Sequence, residues 1–160
     1  MRHWWTCVLF LPHLRLARRL IQSLLMKYYH GSSQHDLKIS GSRNSRYGFP
    51  ALFLASNIDL AVQYAFYNAE QQKSNLPGCV YEFDLASIPK VIDFKNEITH
   101  NTSFRNLIYR LKSQKHSAVR ILNALDYPSI KFKEKHYSTI AVVFDFEVIK
   151  NYHRIGTLSL

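Results

Sequence analysis

The residues best suited to chemistry begin with His30-Gly31-Ser32-Ser33. A histidine offers two ring nitrogens whose proton balance lies near neutral pH. Glycine lets backbone groups come close to a ligand, and the serine hydroxyl both donates and accepts. Alone, a His-Gly-Ser tripeptide is also compatible with a plain turn. Some twenty residues on, Phe53 and Tyr64 stand eleven positions apart. On a strand and the helix after it, two such rings can sandwich a flat ligand ring near His30, or simply fill the core. Glu134 is a further candidate acid, flanked by Lys133 and Lys135, where a solvated loop charge is the competing reading. His136 and Tyr137 follow it as alternatives. Cys7 and Cys79 have no Cys-x-x-Cys or His-x-x-x-His partner, which argues against a disulfide framework and a structural zinc site. The chain has neither a Gly-x-Gly-x-x-Gly fingerprint nor a Gly-Lys-Ser/Thr phosphate loop.

These side chains need elements to hold them. Lys27-Tyr-Tyr-His30 reads as a first strand ended by Gly31-Ser. Residues 33–49 form a long polar loop of the kind that often carries function. Ala51-Leu-Phe-Leu-Ala55 reads as a buried strand. Ser56 is the expected N-cap, with Asp59 as its capping-box partner. Ile58, Ala61, Val62, Ala65, Phe66 and Ala69 form one stripe and predict a helix over 57–73. Cys79–Leu85 alternates as a half-buried strand, and Val91–Phe94 is another. Asn101 or Thr102 caps a helix in which Phe104, Leu107, Ile108, Leu111, Ala118, Ile121, Leu122 and Leu125 recur, as one helix or two, until Asp126-Tyr-Pro breaks it. Ser129–Phe132 and Thr139–Phe146 are strands, with a terminal helical turn over 147–152. The order lacks strict βαβ alternation, so the expected fold is α+β, with two small sheets and two main helices.

Length and composition bound the remainder. The 160 residues suffice for one domain, and 47% hydrophobic with 20% charged residues suits a globular chain. The formal charge of +10 favours nucleic acid, anionic lipid or phosphate-bearing ligands, or serves solubility alone. Four of those ten charges, Arg2, Arg15, Arg18 and Arg19, fall in residues 1–25, which hold no acid. Leu14–Leu25 patterns as a short basic amphipathic helix. Residues 1–25 are thus a basic leader that brings membrane contact if retained, or an extension outside the folded unit, with the domain over 26–152 and a tail over 153–160. Lys112, Lys115, Arg120, Lys131, Lys133 and Lys135, beside Tyr109, Phe132 and Tyr137, form a candidate nucleic-acid surface or a solvated face. Two cysteines fit a reducing compartment, and the expected location is cytoplasmic.

Taken in order, His30-Gly-Ser, Leu52-Phe-Leu-Ala-Ser with Ala61-Val-Gln-Tyr-Ala65, Val80-Tyr-Glu-Phe-Asp84 and Ile140-Ala-Val-Val-Phe-Asp145 resemble the ADP-ribosyltransferase superfamily, in its diphtheria-toxin and poly(ADP-ribose)-polymerase-like branch. The resemblance covers about residues 26–150 through short motifs. It implies a split β-sheet core and an NAD-dependent mono-ADP-ribosyltransferase, a toxin or effector. Such an enzyme cleaves the nicotinamide–ribose bond and passes ADP-ribose to a protein or nucleic-acid acceptor. It implies NAD-binding roles for His30, Gly31, Ser32, Phe53 and Tyr64, with His30 and Tyr64 also catalytic. At Phe53 the ring is kept and the family's tyrosine hydroxyl is lost. Ile140 stands where the family places its catalytic Glu, and an isoleucine cannot stabilise a cationic transition state. Three readings remain: assistance by the acceptor's own carboxylate, Glu134 reaching in as the catalytic acid, or a pseudoenzyme that binds NAD without turning it over. A basic nucleic-acid-binding module is the alternative outside the resemblance.

Overall fold

The structure, a computed structural model, describes residues 26–40 and 45–158. The basic leader therefore lies outside the described residues, as does part of the long polar loop. In chain order the elements are β1 (Tyr28–Ser32), β2 (Leu52–Ala55), α1 (Ile58–Gln71), β3 (Cys79–Leu85), β4 (Val91–Asp93), α2 (Thr102–Ser113), β5 (Ala118–Asp126), β6 (His136–Val143), a 3-10 turn (Phe146–Val148) and β7 (Ile149–Thr157). The fold is α+β, a mixed seven-stranded sheet with two helices.

The strand order is β4-β5-β6-β2-β1-β3-β7. The β4–β5 pair is parallel and the others are antiparallel. The strands thus form one sheet, where the sequence suggested two small ones. Its two halves are joined weakly: among the described residues, Tyr29 opposite Ala55 is the one pair linking β1 to β2.

Alternation along the strands sorts the core onto two faces. One face gathers Val119, Ile121, Ile140, Val142 and Ala55 under Leu60 of α1 and Phe104, Leu107, Ile108 and Leu111 of α2. The other gathers Tyr28, Leu54, Cys79, Tyr81, Phe83, Ala141 and Val143 beneath Leu37 and Ile88. There the loop after β1 is tied down by Tyr81 Oη donating to the Gln34 carbonyl (2.7 Å) and Tyr152 Oη to the Leu37 carbonyl (3.0 Å).

Helix α1 falls within the predicted span, but Asn57, not Ser56, is its N-cap, accepting from the Asp59 amide at 2.9 Å. Ser56 instead ties β2 to β6, its hydroxyl accepting from the Thr139 amide at 2.9 Å. Asn101 caps α2 by accepting from the Ser103 and Phe104 amides. That helix ends at Ser113, and Ala118–Asp126 is a strand rather than its continuation. The cause is a bulge in β5. Ile121 pairs with Ile140 and Ala124 with Ser138, so one extra residue is accommodated, with Asn123 at a φ of 55°. The bulge turns a two-residue alternation into a three-residue step, which imitates helical spacing. Ser129–Phe132 is a turn, the Phe132 amide donating to the Ser129 carbonyl at 3.0 Å, and not a strand. Past the 3-10 turn the chain does not trail off at 153: β7 runs to Thr157 and pairs with β3.

Candidate functional site

The site is built on the weak joint of the sheet. With Tyr29 opposite Ala55, an antiparallel register would next set Gly31 opposite Phe53. Here the strands part instead. His30 Nδ1 donates to the Phe53 carbonyl oxygen at 3.1 Å. A carbonyl can only accept, so Nδ1 carries the proton and a neutral ring keeps its lone pair on Nε2. The Gly31 carbonyl accepts from Asn68 Nδ2 of α1 at 2.9 Å. Side chains thus take over where the ladder stops.

Gly31 is dictated by its neighbours. A Cβ there would lie 2.0 Å from the Ala61 carbonyl oxygen and 2.4 Å from the Ala65 amide. Gly78, just before β3, meets the Ala65 carbonyl in the same way, at 2.4 Å. The two glycines and the buried Ala61, Ala65 and Ala69 let α1 lie directly on β1 and β3. Ser32 Oγ accepts from the Gln34 amide at 3.0 Å and turns the chain into the loop.

A cleft of about 500 Å³ opens at this joint, lined from both faces of the sheet. His30, Gly31, Ser32, Phe53, Tyr64 and Ile140 all line it. Phe53 and Tyr64 are half-buried and also pack against the core, so each ring serves both purposes. Phe53 is backed by Tyr47, with ring centroids 5.3 Å apart.

Tyr64 leads to the charged part of the cleft. Its hydroxyl donates to Asp126 Oδ1 at 2.9 Å. The same oxygen accepts from the Tyr127 amide at 2.8 Å and from Thr99 Oγ1 at 3.3 Å, and Thr99 also contacts the Tyr127 carbonyl. Asp126 is buried at the end of β5 and lines the cleft with Thr99 and Arg46. Burial lifts its carboxyl above the ordinary range, while Tyr64, the Arg46 charge, the Tyr127 amide and Thr99 hold it back. Burial also carries the Tyr64 hydroxyl well above its usual value, reinforced by the Asp126 charge and opposed by Arg46. Arg46 itself donates to Tyr47 Oη at 3.2 Å, its guanidinium 5.2 Å from that ring's centroid.

Glu134 is not brought to the cleft. Its side chain is 81% exposed in the β5–β6 loop, with His136 Nε2 4.0 Å from its carboxylate. Gln63 of α1 fixes the neighbouring backbone, its Nε2 lying 3.2 Å from the Glu134 carbonyl and 3.0 Å from His136 Nε2. Of the basic residues, Lys131, Lys133 and Lys135 share the β5–β6 loop, and Lys112 lies in the last turn of α2. Lys112 Nζ sits 5.7 Å from the Phe49 and Phe144 ring centroids, and Lys135 pairs with Glu97 at 2.8 Å. Half-buried Arg120 lies on the strand between Val119 and Ile121. Among the described residues no cluster of His, Cys, Asp and Glu is arranged for a metal ion, and no helix is long and apolar enough to cross a membrane.

Asp126, Thr99 and Arg46 were not singled out by the sequence as site residues. Asp126-Tyr-Pro reads first as a helix breaker. Only the β5 bulge, which returns Ala124 and Asp126 to the face of Ile121, turns that carboxylate toward the cleft. No family model, no curated protein and no solved structure matches the chain.

Proposed function

We propose that this cleft binds NAD and that the protein is an NAD-dependent mono-ADP-ribosyltransferase, breaking the nicotinamide–ribose bond and passing ADP-ribose to a protein or nucleic-acid acceptor. The observation that carries the reading is convergence. His30, Gly31, Ser32, Phe53 and Tyr64 span more than thirty positions, yet all line a single cleft, with Ile140 on the same lining. Its volume of about 500 Å³ falls within the range of small-molecule sites, ~300–1,000 Å³. The cleft combines flat aromatic walls with a histidine, a hydroxyl and an arginine, which suits a ligand carrying rings, ribose hydroxyls and phosphates. The compact domain suits a toxin or effector.

A second reading has its own support. Ile140 is buried and apolar where the resemblance calls for a carboxylate, which favours a module that binds NAD without turnover. Calorimetry with NAD and a nicotinamide-release assay on the full chain separate the two. Binding with release, both weakened by His30→Ala, supports the enzyme. Binding without release supports the module. Neither binding nor release ends both.

A further inference from the structure

We propose that Asp126 is a catalytic residue of the cleft, its carboxylate facing the ribose of the bound dinucleotide and supplying the negative charge that Ile140 cannot. The assignment rests on the NAD reading above and gives it a chemical centre.

Four observations support it. Asp126 is 5% exposed yet lines the cleft. The β5 bulge, with Asn123 in the left-handed region, puts it on the cleft side; an unbroken alternation from Ile121 would turn it to the other face. Its three donors, Tyr64 Oη, Thr99 Oγ1 and the Tyr127 amide, all use Oδ1. Among the described residues no hydrogen bond occupies Oδ2, which leaves that oxygen to a ligand. Lastly, Tyr64 both lines the cleft and anchors the carboxylate, so a ring stacked on Tyr64 lies close to Asp126.

The chemistry follows from that placement. As the bond between the pyridinium nitrogen and ribose C1′ breaks, its electron pair goes to nitrogen and the nicotinamide leaves neutral. C1′ is left as an oxocarbenium ion, and a fixed, desolvated carboxylate stabilises that developing charge. Water or an acceptor nucleophile then forms the new bond to C1′ and releases one proton to solvent. Oδ2 also accepts a hydrogen bond from a ribose hydroxyl, which aligns the sugar. The groups facing Asp126 or sharing its surroundings are Tyr64 from α1, Arg46 from the loop before β2, and His100, Thr99 and Tyr127 nearby. His136 pairs with it across β6.

Asp126→Asn tests the assignment on the full chain, because the amide oxygen can still accept at the Oδ1 position. Calorimetry should give an NAD affinity within about tenfold of the wild type, the loss of one ribose hydrogen bond, while nicotinamide release falls ~100-fold or more. Turnover by Asp126→Asn within about threefold of the wild type overturns the assignment and leaves the NAD reading standing. A wild type that fails to bind NAD overturns that reading and this assignment with it. Should Asp126→Asn not fold, the pH profile of release decides. The wild-type rate should rise with pH through an acidic limb, and Tyr64→Phe, which removes a donor that holds the carboxyl down, should move that limb upward. A limb that Tyr64→Phe leaves in place overturns the assignment.

Discussion

His30 Nδ1 lies 3.1 Å from the carbonyl oxygen of Phe53, across the line where the two halves of the sheet part. A side chain here replaces a rung of the β ladder. The consequence is a gap in the sheet that is still braced, and the cleft occupies that gap. The strands to one side, β4-β5-β6-β2, carry the buried carboxylate. Those on the other, β1-β3-β7, carry the His-Gly-Ser segment. A ligand in the cleft touches both halves, so site and joint are one structure.

Removing that brace should therefore affect stability and binding together. His30→Ala leaves the Phe53 carbonyl without this donor and is expected to cost about 1 kcal/mol in urea unfolding. It should also lower NAD affinity by ~10-fold or more in calorimetry, since the wall that positions the ligand is lost. A variant that melts and binds like the wild type would show that the contact braces nothing.

Gly31→Ala addresses the other side of the joint. The added Cβ would meet backbone atoms of α1, the Ala61 carbonyl oxygen at 2.0 Å and the Ala65 amide at 2.4 Å. Backbone within a helix cannot rotate away as a side-chain tip can, so the helix must lift from β1. The expected loss is about 3 kcal/mol, or roughly 10 °C in the melting midpoint by calorimetry. Asn68→Ala, which removes only the bond to the Gly31 carbonyl, should cost about 1 kcal/mol by the same measure.

How far the sequence could be read depends on whether local signals agreed. Helix α1 was legible because its stripe continues through about three turns, although the buried set is Leu60, Ala61, Ala65 and Ala69, while Ile58 and Phe66 are exposed. The first strand and its His-Gly-Ser end were legible from aromatic residues and a glycine. Strand β5 was not, because its bulge at 121–124 imitates a helical step. β7 was not, because as an edge strand it buries little: its residues are half-buried or exposed throughout, so the alternation that marks other strands is weak. The aromatic and His-Gly-Ser parts of the cleft could be proposed from residue types alone. Asp126 could not, since its place depends on the bulge and on partners 27 and 62 positions away.

Glu134 supplies a negative prediction. Its carboxylate is 81% exposed outside the cleft, with His136 Nε2 at 4.0 Å. Glu134→Ala should leave nicotinamide release unchanged and shift the melting midpoint by no more than about 2 °C. A large fall in release would return Glu134 to the catalytic role that its sequence position suggested.

The buried carboxyl makes a signed prediction about pH. Burial raises the Asp126 pKa in the folded protein above the ordinary 3.8, by more than Tyr64, Arg46, the Tyr127 amide and Thr99 lower it. Between 3.8 and that raised value the folded state holds the proton more often than the unfolded chain does. Stability from this group is therefore fully present below the unfolded pKa and is lost as pH rises through the folded one. Asp126→Asn has no such proton. The unfolding free energy of the wild type minus that of Asp126→Asn, followed by urea melts, should thus fall as pH climbs from about 3.8 and then level off. Tyr64→Phe removes one of the groups that favour the ion, so its curve should fall over a window extending to higher pH. A difference that instead grows with pH would mean that the three donors and the Arg46 charge outweigh burial, and that Asp126 is held as a stabilised anion throughout.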